Sequence, residues 1–189
     1  MIIDKQKAAT FLLWIEVLML PGCKCGSSSD SDISNFQANF FPANNPGSGS
    51  IYLSELKSER GSLTLGVNAK DVGEINTVYF DLVYNPSVIN YSGSEEGDFF
   101  KSGGQSTSGF QVSLQNKTEG RIYVAINVLN NSPVKGSGLI GKITFIPIAE
   151  ENFAVIFENN KLLRYNSSSL ESFEITGDWF GGGIISKRI

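Results

Sequence analysis

The sequence contains no histidine, and its only two cysteines, Cys23 and Cys25, lie close together near the N-terminus. A Ser-His-Asp or Cys-His catalytic arrangement is therefore excluded, because the chain has no histidine base and no thiol beyond these two. A zinc site built from histidine and cysteine is excluded for the same reason. Carboxylates alone could support catalysis, as in glycoside hydrolysis. The paired acidic residues lie in polar, turn-like stretches, so the sequence predicts a protein that is not an enzyme.

Basic residues are also scarce. The chain has 15 lysines and arginines against 19 acidic residues, a formal net charge of −4, and no basic run. Nucleic-acid recognition needs lysine and arginine clustered on one surface, so nucleic acid is not expected as a partner. Long apolar runs are missing as well. The run from Ala8 to Leu20 is too short to span a bilayer as a helix.

This short apolar run follows Lys5 and Lys7, an arrangement typical of a signal peptide. It ends in L-P-G-C at residues 20–23, which resembles the lipobox of bacterial lipoproteins. The resemblance implies a signal peptide over residues 1–22 and lipidation of Cys23, which would anchor the protein in a membrane. The implied location is the bacterial outer membrane or cell surface, with secretion or the periplasm as the alternative. An ordinary secretory signal and a misassigned start codon stay open, since Pro21 and Glu16 depart from the pattern.

The stretch from residue 26 to residue 50 is dominated by Ser, Asp, Asn, Gly and Pro. This composition is typical of a linker, so we expect a flexible tether over residues 23–49. A coil of about 25 residues has a reach on the order of 28 Å. Phe36, Phe40 and Phe41 interrupt this stretch. They either dock on the domain or mark a short structured turn.

The stretch from Val78 to Gly93 shows the clearest strand pattern in the chain. Phe80, Leu82 and Tyr84 alternate with Tyr79, Asp81 and Val83, as in a strand with one buried face. Similar short alternating segments recur between turn signals along the chain, and no segment after the leader has a helical period. The sequence therefore predicts an all-β sandwich or barrel over residues 50–180, followed by a C-terminal tail at residues 181–189.

Three motifs resemble the signature of cellulosome-type cohesin domains of bacteria. The segment from Phe80 to Ile89 resembles F-x-L-x-Y-D-P-x-V-L, with Asn85 in place of the aspartate. Segments that begin at Gly120 and Gly136 resemble G-x-I-x-V-A and G-S-G-x-L-x-x-I-x-F. The resemblance implies a jelly-roll β-sandwich of about nine strands, related to carbohydrate-binding modules. It also implies non-catalytic recognition of a dockerin-like protein at the cell surface, linked to polysaccharide degradation.

The resemblance further implies which face binds the partner, because the strand with the Tyr-Asp-Pro motif carries the dockerin site in cohesins. The implied face on this chain comprises Thr77, Tyr79, Asp81, Val83, Arg121, Tyr123, Asn127, Asn130 and Asn131. Exposed tyrosine beside arginine suits a binding surface. The alternative is that Tyr79 and Tyr123 are ordinary cross-strand neighbours on a solvated face.

Polysaccharide binding is the second functional hypothesis. Trp179 is the only tryptophan after the leader, and it either stacks on a sugar ring or closes the core with the last strand. We expect no cofactor, although a structural calcium ion could be held by Asp71, Glu74 and Asp98. These three residues lack the spacing of an EF-hand loop.

Overall fold

Twelve β-strands and one 3₁₀ turn make up the part of the chain that the computed structural model describes, residues 35–114, 119–130 and 132–189. The strands are β1 (Phe36–Pro42), β2 (Ser50–Glu59), β3 (Ser62–Ile75), β4 (Thr77–Val83), β5 (Ile89–Glu96), β6 (Gln111–Ser113), β7 (Arg121–Asn127), β8 (Val134–Pro147), β9 (Glu151–Asn166), β10 (Glu171–Ile175), β11 (Asp178–Phe180) and β12 (Gly182–Arg188), with the 3₁₀ turn at Phe99–Lys101. The all-β prediction is confirmed, with more strands than the nine expected. No helix in these described ranges is long and apolar enough to cross a membrane.

The strands form two sheets that pack as a sandwich. One sheet has the order β1-β12-β9-β4-β7-β6, and β10 pairs with the far end of β9. The other has the order β11-β2-β3-β8-β5. Among the described strands, only β11 and β2 pair in parallel. The inward residues of β4 and β7 are those that the two-residue period predicts. Phe80, Leu82 and Ile122 are at most 1% exposed, so burial of apolar surface holds the two sheets together.

The two ends of the described chain differ from the sequence-based boundaries. The sequence places residues 36–42 in the tether and residues 181–189 in a tail, but β1 and β12 pair along seven residues each. Ala38 and Phe40 point into the core and are 0% and 5% exposed, while Phe41 is exposed. The burial of Phe40 accounts for this strand, because removing its large aromatic ring from water favours the conformation in which β1 is docked on the core. The predicted signal peptide, Cys23 and the tether up to residue 34 lie outside the described residues.

Side chains of β2 cover the edge of β1 that faces away from β12. The Phe40 N–H donates a hydrogen bond to Glu55 Oε2 at 2.7 Å, and Ser58 Oγ donates to the Ala38 carbonyl at 2.8 Å. An open strand edge invites pairing with another chain, and these contacts satisfy part of it. β1 thereby links the two sheets at one side of the sandwich.

Candidate functional site

The predicted site residues of β4 and β7 lie side by side on the outer face of the larger sheet. The register pairs Thr77 with Asn127, Tyr79 with Ala125, Asp81 with Tyr123, and Val83 with Arg121. Thr77 Oγ1 donates a hydrogen bond to Asn127 Oδ1 at 2.5 Å. Side chains directly opposite on one face are close neighbours, so the sheet gathers these residues from positions that are far apart in the sequence.

A cleft opens on this face where Ala125 presents only a methyl group. Tyr79 and Tyr123 flank it, and Gln111 and Ser113 of β6 border its far side. We call this the Ala125 cleft, and its volume is about 490 Å³. Phenolic, amide and hydroxyl groups around an apolar floor can hold a side chain and orient it by hydrogen bonds.

Asp81 lies on the same face but is almost completely buried by its neighbours. It is 5% exposed and accepts hydrogen bonds from Arg121 Nη1 at 2.8 Å and from Asn159 Nδ2 at 2.6 Å. Arg121 Nη2 donates to Glu158 Oε2 at 2.5 Å. The hydrogen bond to Glu158, and next that to Asp81, raises the pKa of Arg121. This Asp81 network, formed by Asp81, Arg121, Glu158 and Asn159, ties β4, β7 and β9 together.

The network lies at a β-bulge that the sequence did not reveal. Between β4 and β9 the register passes from Tyr79↔Lys161 to Asp81↔Glu158, which leaves one extra residue on β9. Asn159 has a φ of 45°, in the left-handed region that asparagine tolerates better than most residues. The Asn-Asn pair at residues 159–160 was the only local signal for it. The bulge brings the Asn159 side chain over Asp81.

Lys161 lies beside Tyr79 on the candidate face. Its Nζ is 3.1 Å from Glu174 Oε2 of β10. This carboxylate is the main cause of the raised pKa of Lys161, and Tyr79 makes a smaller contribution. Lys161 and Glu174 are both well exposed, so the pair contributes little to stability. It places a cation next to the rim of the Ala125 cleft.

The remaining predicted residues are dispersed. Asn130 lies after β7, where its side-chain amide donates to Gln105, and Asn131 lies outside the described residues. Trp179 is half-buried in β11, and its ring centroid is 5.9 Å from that of Phe80 and 5.2 Å from that of Phe157. Trp179 therefore packs against the core between the two sheets.

The three acidic residues considered for calcium have other partners or positions. Asp71 accepts a hydrogen bond from Ser137 Oγ, Glu74 pairs with Arg164 at 2.7 Å, and Asp98 precedes the 3₁₀ turn. In the residues that the structure describes, no three acidic, cysteine or histidine side chains are grouped so that they could hold a metal ion.

A family model for the cohesin domain matches residues 49–172, about two thirds of the chain. The chain belongs to the cohesin domain family. Members of this family are non-catalytic binding modules. The match begins just before β2 and ends within β10, so the cohesin model covers the candidate face and leaves out β1 and β12.

Solved cohesin structures share the fold at low sequence identity. A type II cohesin domain from the cellulosome of Acetivibrio cellulolyticus has a TM-score of 0.58 and 13% identity, over 74% of this chain and 95% of that one. A type II cohesin–X-dockerin complex of the same organism, an N-terminal interface mutant, has a TM-score of 0.54 and 14% identity, over 69% and 92%. A non-cellulosomal cohesin from the archaeon Archaeoglobus fulgidus has a TM-score of 0.51 and 12% identity, over 72% and 89%. No curated protein matches the chain.

Proposed function

We propose that this protein is a non-catalytic recognition module that binds a dockerin-type protein through the outer face of β6, β7, β4 and β9. The observation that carries the proposal is the Ala125 cleft, flanked by Tyr79 and Tyr123 on that face. Family membership supports it, as does the similar fold of a cohesin that was solved in complex with an X-dockerin.

The hydrogen bonds around Asp81 also support recognition, because they tie the strands of this face together. Tyrosine side chains anchor interfaces disproportionately, and their cost on binding is small when the scaffold already holds them in place. The Asp81 network supplies that scaffold here, because it joins three neighbouring strands beside the two half-buried tyrosines. Asp81 itself has only a small exposed fraction left for contact with a partner. We therefore assign it a positioning role and Tyr79 and Tyr123 the direct contacts.

The proposal is tested by replacing Tyr79 with alanine. Binding of the immobilised chain to dockerin modules encoded in the same genome is measured by biolayer interferometry with calcium and then with chelator. We expect Tyr79→Ala to weaken the best dockerin at least about tenfold, as truncation of an anchoring tyrosine does. The matched control is Tyr52→Ala, a half-buried tyrosine on the other sheet, which should leave affinity unchanged. Failure of every dockerin to bind, or equal affinity of the Tyr79 variant, would refute the proposal.

Polysaccharide binding is the second candidate, because Trp179 also borders a cleft of about 360 Å³ with Asn160, Lys161 and Glu174. A sugar ring could contact the part of the indole that stays exposed and form hydrogen bonds with these polar groups. Polysaccharides replace dockerin modules in the same assay. Binding of a polysaccharide by a chain that binds no dockerin would favour this candidate over the first.

We further propose that a lipid on Cys23 holds the module at the surface of a bacterial cell, where it would take part in polysaccharide degradation. Two or more acyl chains anchor a protein stably, since each buried CH₂ contributes about 0.8 kcal/mol. When the full chain is expressed in a bacterium fed an alkyne-labelled palmitate, we expect label on the protein and recovery with the membranes. Both should be lost in Cys23→Ser and kept in Cys25→Ser. Label that persists in Cys23→Ser would exclude this anchor.

A further inference from the structure

A second concave surface lies on the same sheet, beyond β9. The register places Phe41, Gly183 and Ala154 side by side across β1, β12 and β9. Gly183 and Ala154 form a floor almost without side chains, and Phe41 and Ile156 rise beside it, 52% and 44% exposed. We call this the Gly183 groove; Ile185 also borders it, and its volume is about 580 Å³.

The chemistry of the groove favours an apolar occupant. Among the described residues that line it, none is charged, and the polar contributions come from Asn152 and the backbone. Phe41 and Ile156 stay about half exposed beside this floor, so a partner that covers them would remove apolar surface from water, which favours binding. Contiguous apolar patches of this kind mark interaction sites more often than plain surface. An aliphatic or aromatic side chain would fit it better than a charged one.

The groove is continuous with the proposed partner face. Ile156, at its edge, pairs with Val83 of β4, and Val83 pairs with Arg121 of β7. In the order of the sheet, only β9 separates β12 from β4. A protein seated on β4 and β7 therefore reaches the groove without a gap, since neighbouring strands of a sheet lie close together. β1 and β12 lie outside the part of the chain that the cohesin model matches.

We infer that the Gly183 groove is a second anchoring site for the same protein partner and takes one apolar side chain of that partner. The inference rests on the proposed function, which supplies the partner. It assigns to β1 and β12 a part in selecting that partner. A dockerin-type module with a leucine, isoleucine or phenylalanine at the position that enters the Gly183 groove would bind more tightly than one with a charged residue there.

Filling the groove without disturbing the fold gives a direct test. A Cβ added at Gly183 meets no atom nearer than 3.9 Å, so Gly183→Val should fold normally and occupy the floor. The probes are N-acetyl-leucinamide and N-acetyl-phenylalaninamide, with N-acetyl-lysinamide as control, titrated into the isotope-labelled full chain and followed by NMR. We expect the amide signals of Gly183, Ala154 and Ile156 to shift with the two apolar probes alone. In Gly183→Val, the signals of Ala154 and Ile156 should no longer shift. Absence of shifts in the unsubstituted chain would overturn the inference.

The dockerin assay then separates this inference from the proposed function. With a dockerin module that binds, Gly183→Val should weaken affinity about tenfold, the size expected for one lost anchor. Gly73→Val is the matched control, because Gly73 lies in the other sheet and an added Cβ there meets no atom within 4 Å. Affinity that falls with Tyr79→Ala but not with Gly183→Val overturns the groove and leaves the proposed function standing. Absence of any dockerin binding refutes the function, whereas the NMR titration still reports on the groove alone.

Discussion

Replacing Arg121 with methionine is expected to lower the free energy of unfolding by about 3 kcal/mol, as when one partner of a buried ion pair is removed. Methionine keeps much of the apolar stem but removes the guanidinium. The Asp81 side chain is 7% exposed, so its carboxylate would keep Asn159 as a donor and gain almost no water. Urea unfolding followed by the fluorescence of Trp179 measures the loss.

The two carboxylates bound by Arg121 differ in burial, and this difference provides the control. The Glu158 side chain is 40% exposed. Glu158→Gln should therefore change the unfolding free energy by less than about 1 kcal/mol, as for other exposed ion pairs. Adding Asp81→Asn to Arg121→Met should recover part of the loss, since it removes the stranded charge. If Arg121→Met lowers the free energy of unfolding no more than Glu158→Gln does, the stability that the network provides does not depend on the burial of Asp81.

The effect on binding follows from the position of the network. Arg121 of β7 joins Asp81 of β4 to Glu158 of β9. Tyr79 and Tyr123, which flank the Ala125 cleft, lie on β4 and β7. We expect the Arg121→Met variant to lose affinity for a dockerin even under conditions where it is fully folded. Without the guanidinium the face would have to become ordered on binding, and this entropic cost would offset part of the favourable binding free energy.

The sequence predicted the central part of the fold because the period of two is a local signal. Phe80 and Leu82 alternate with Tyr79 and Asp81, and the structure buries the first pair and turns the second pair outward. The pairing of β4 with β7 could be anticipated from the family motifs, so Tyr79 and Tyr123 were expected on one face. What those residues bind is still a prediction.

The burial of Asp81 could not be read from the sequence, since it depends on contacts between distant residues. Asp81 is 40 positions from Arg121 and 78 from Asn159, and the contact with Asn159 requires a bulge in β9. The alternation around Asp81 correctly indicates the outer face, but a carboxylate there is ordinarily solvated. Only the register of three strands reveals that it is covered.

The assignment of β1 to a linker failed for a related reason. Its neighbours Asn44, Asn45, Pro46 and Gly47 have the composition of a linker, and strand propensity depends on the partner that covers the strand. That partner, β12, comes at the far end of the chain and contains Gly182 and Gly183, which weaken its own pattern. An added Cβ at Gly182 would lie 2.3 Å from the Phe41 carbonyl oxygen, so the glycine is what allows the two strands to approach. The phenylalanines at 36, 40 and 41 were the one visible sign of a strand.

Replacing Gly120 with alanine is expected to have the largest effect of all, a loss of more than about 4 kcal/mol that leaves little folded protein at room temperature. Gly120 has a φ of 61°, and an added Cβ would lie 2.1 Å from the Tyr84 carbonyl oxygen and 2.5 Å from Pro86 Cδ. Neither neighbour can yield, since one is backbone and the other a proline ring. The Gly120 carbonyl also accepts the Tyr84 N–H at 2.8 Å. Separation of these segments would move the start of β7, and with it Arg121, away from β4.

The matched control for this substitution is Gly104→Ala, which separates backbone strain from the clash. Gly104 has a φ of 78°, similar to that of Gly120, but an added Cβ there meets no atom within 4 Å. It should therefore cost only the left-handed conformation, about 1 kcal/mol. Circular dichroism and urea unfolding of both variants measure the two effects. Equal losses would mean that conformational strain alone makes glycine necessary at residue 120. The expected difference of several kcal/mol would mean that glycine is needed there for the close approach of β7 to the Tyr84–Pro86 turn. Because the same approach sets Arg121 against Asp81, Gly120 would then be required for the geometry of the candidate binding face as well as for the fold.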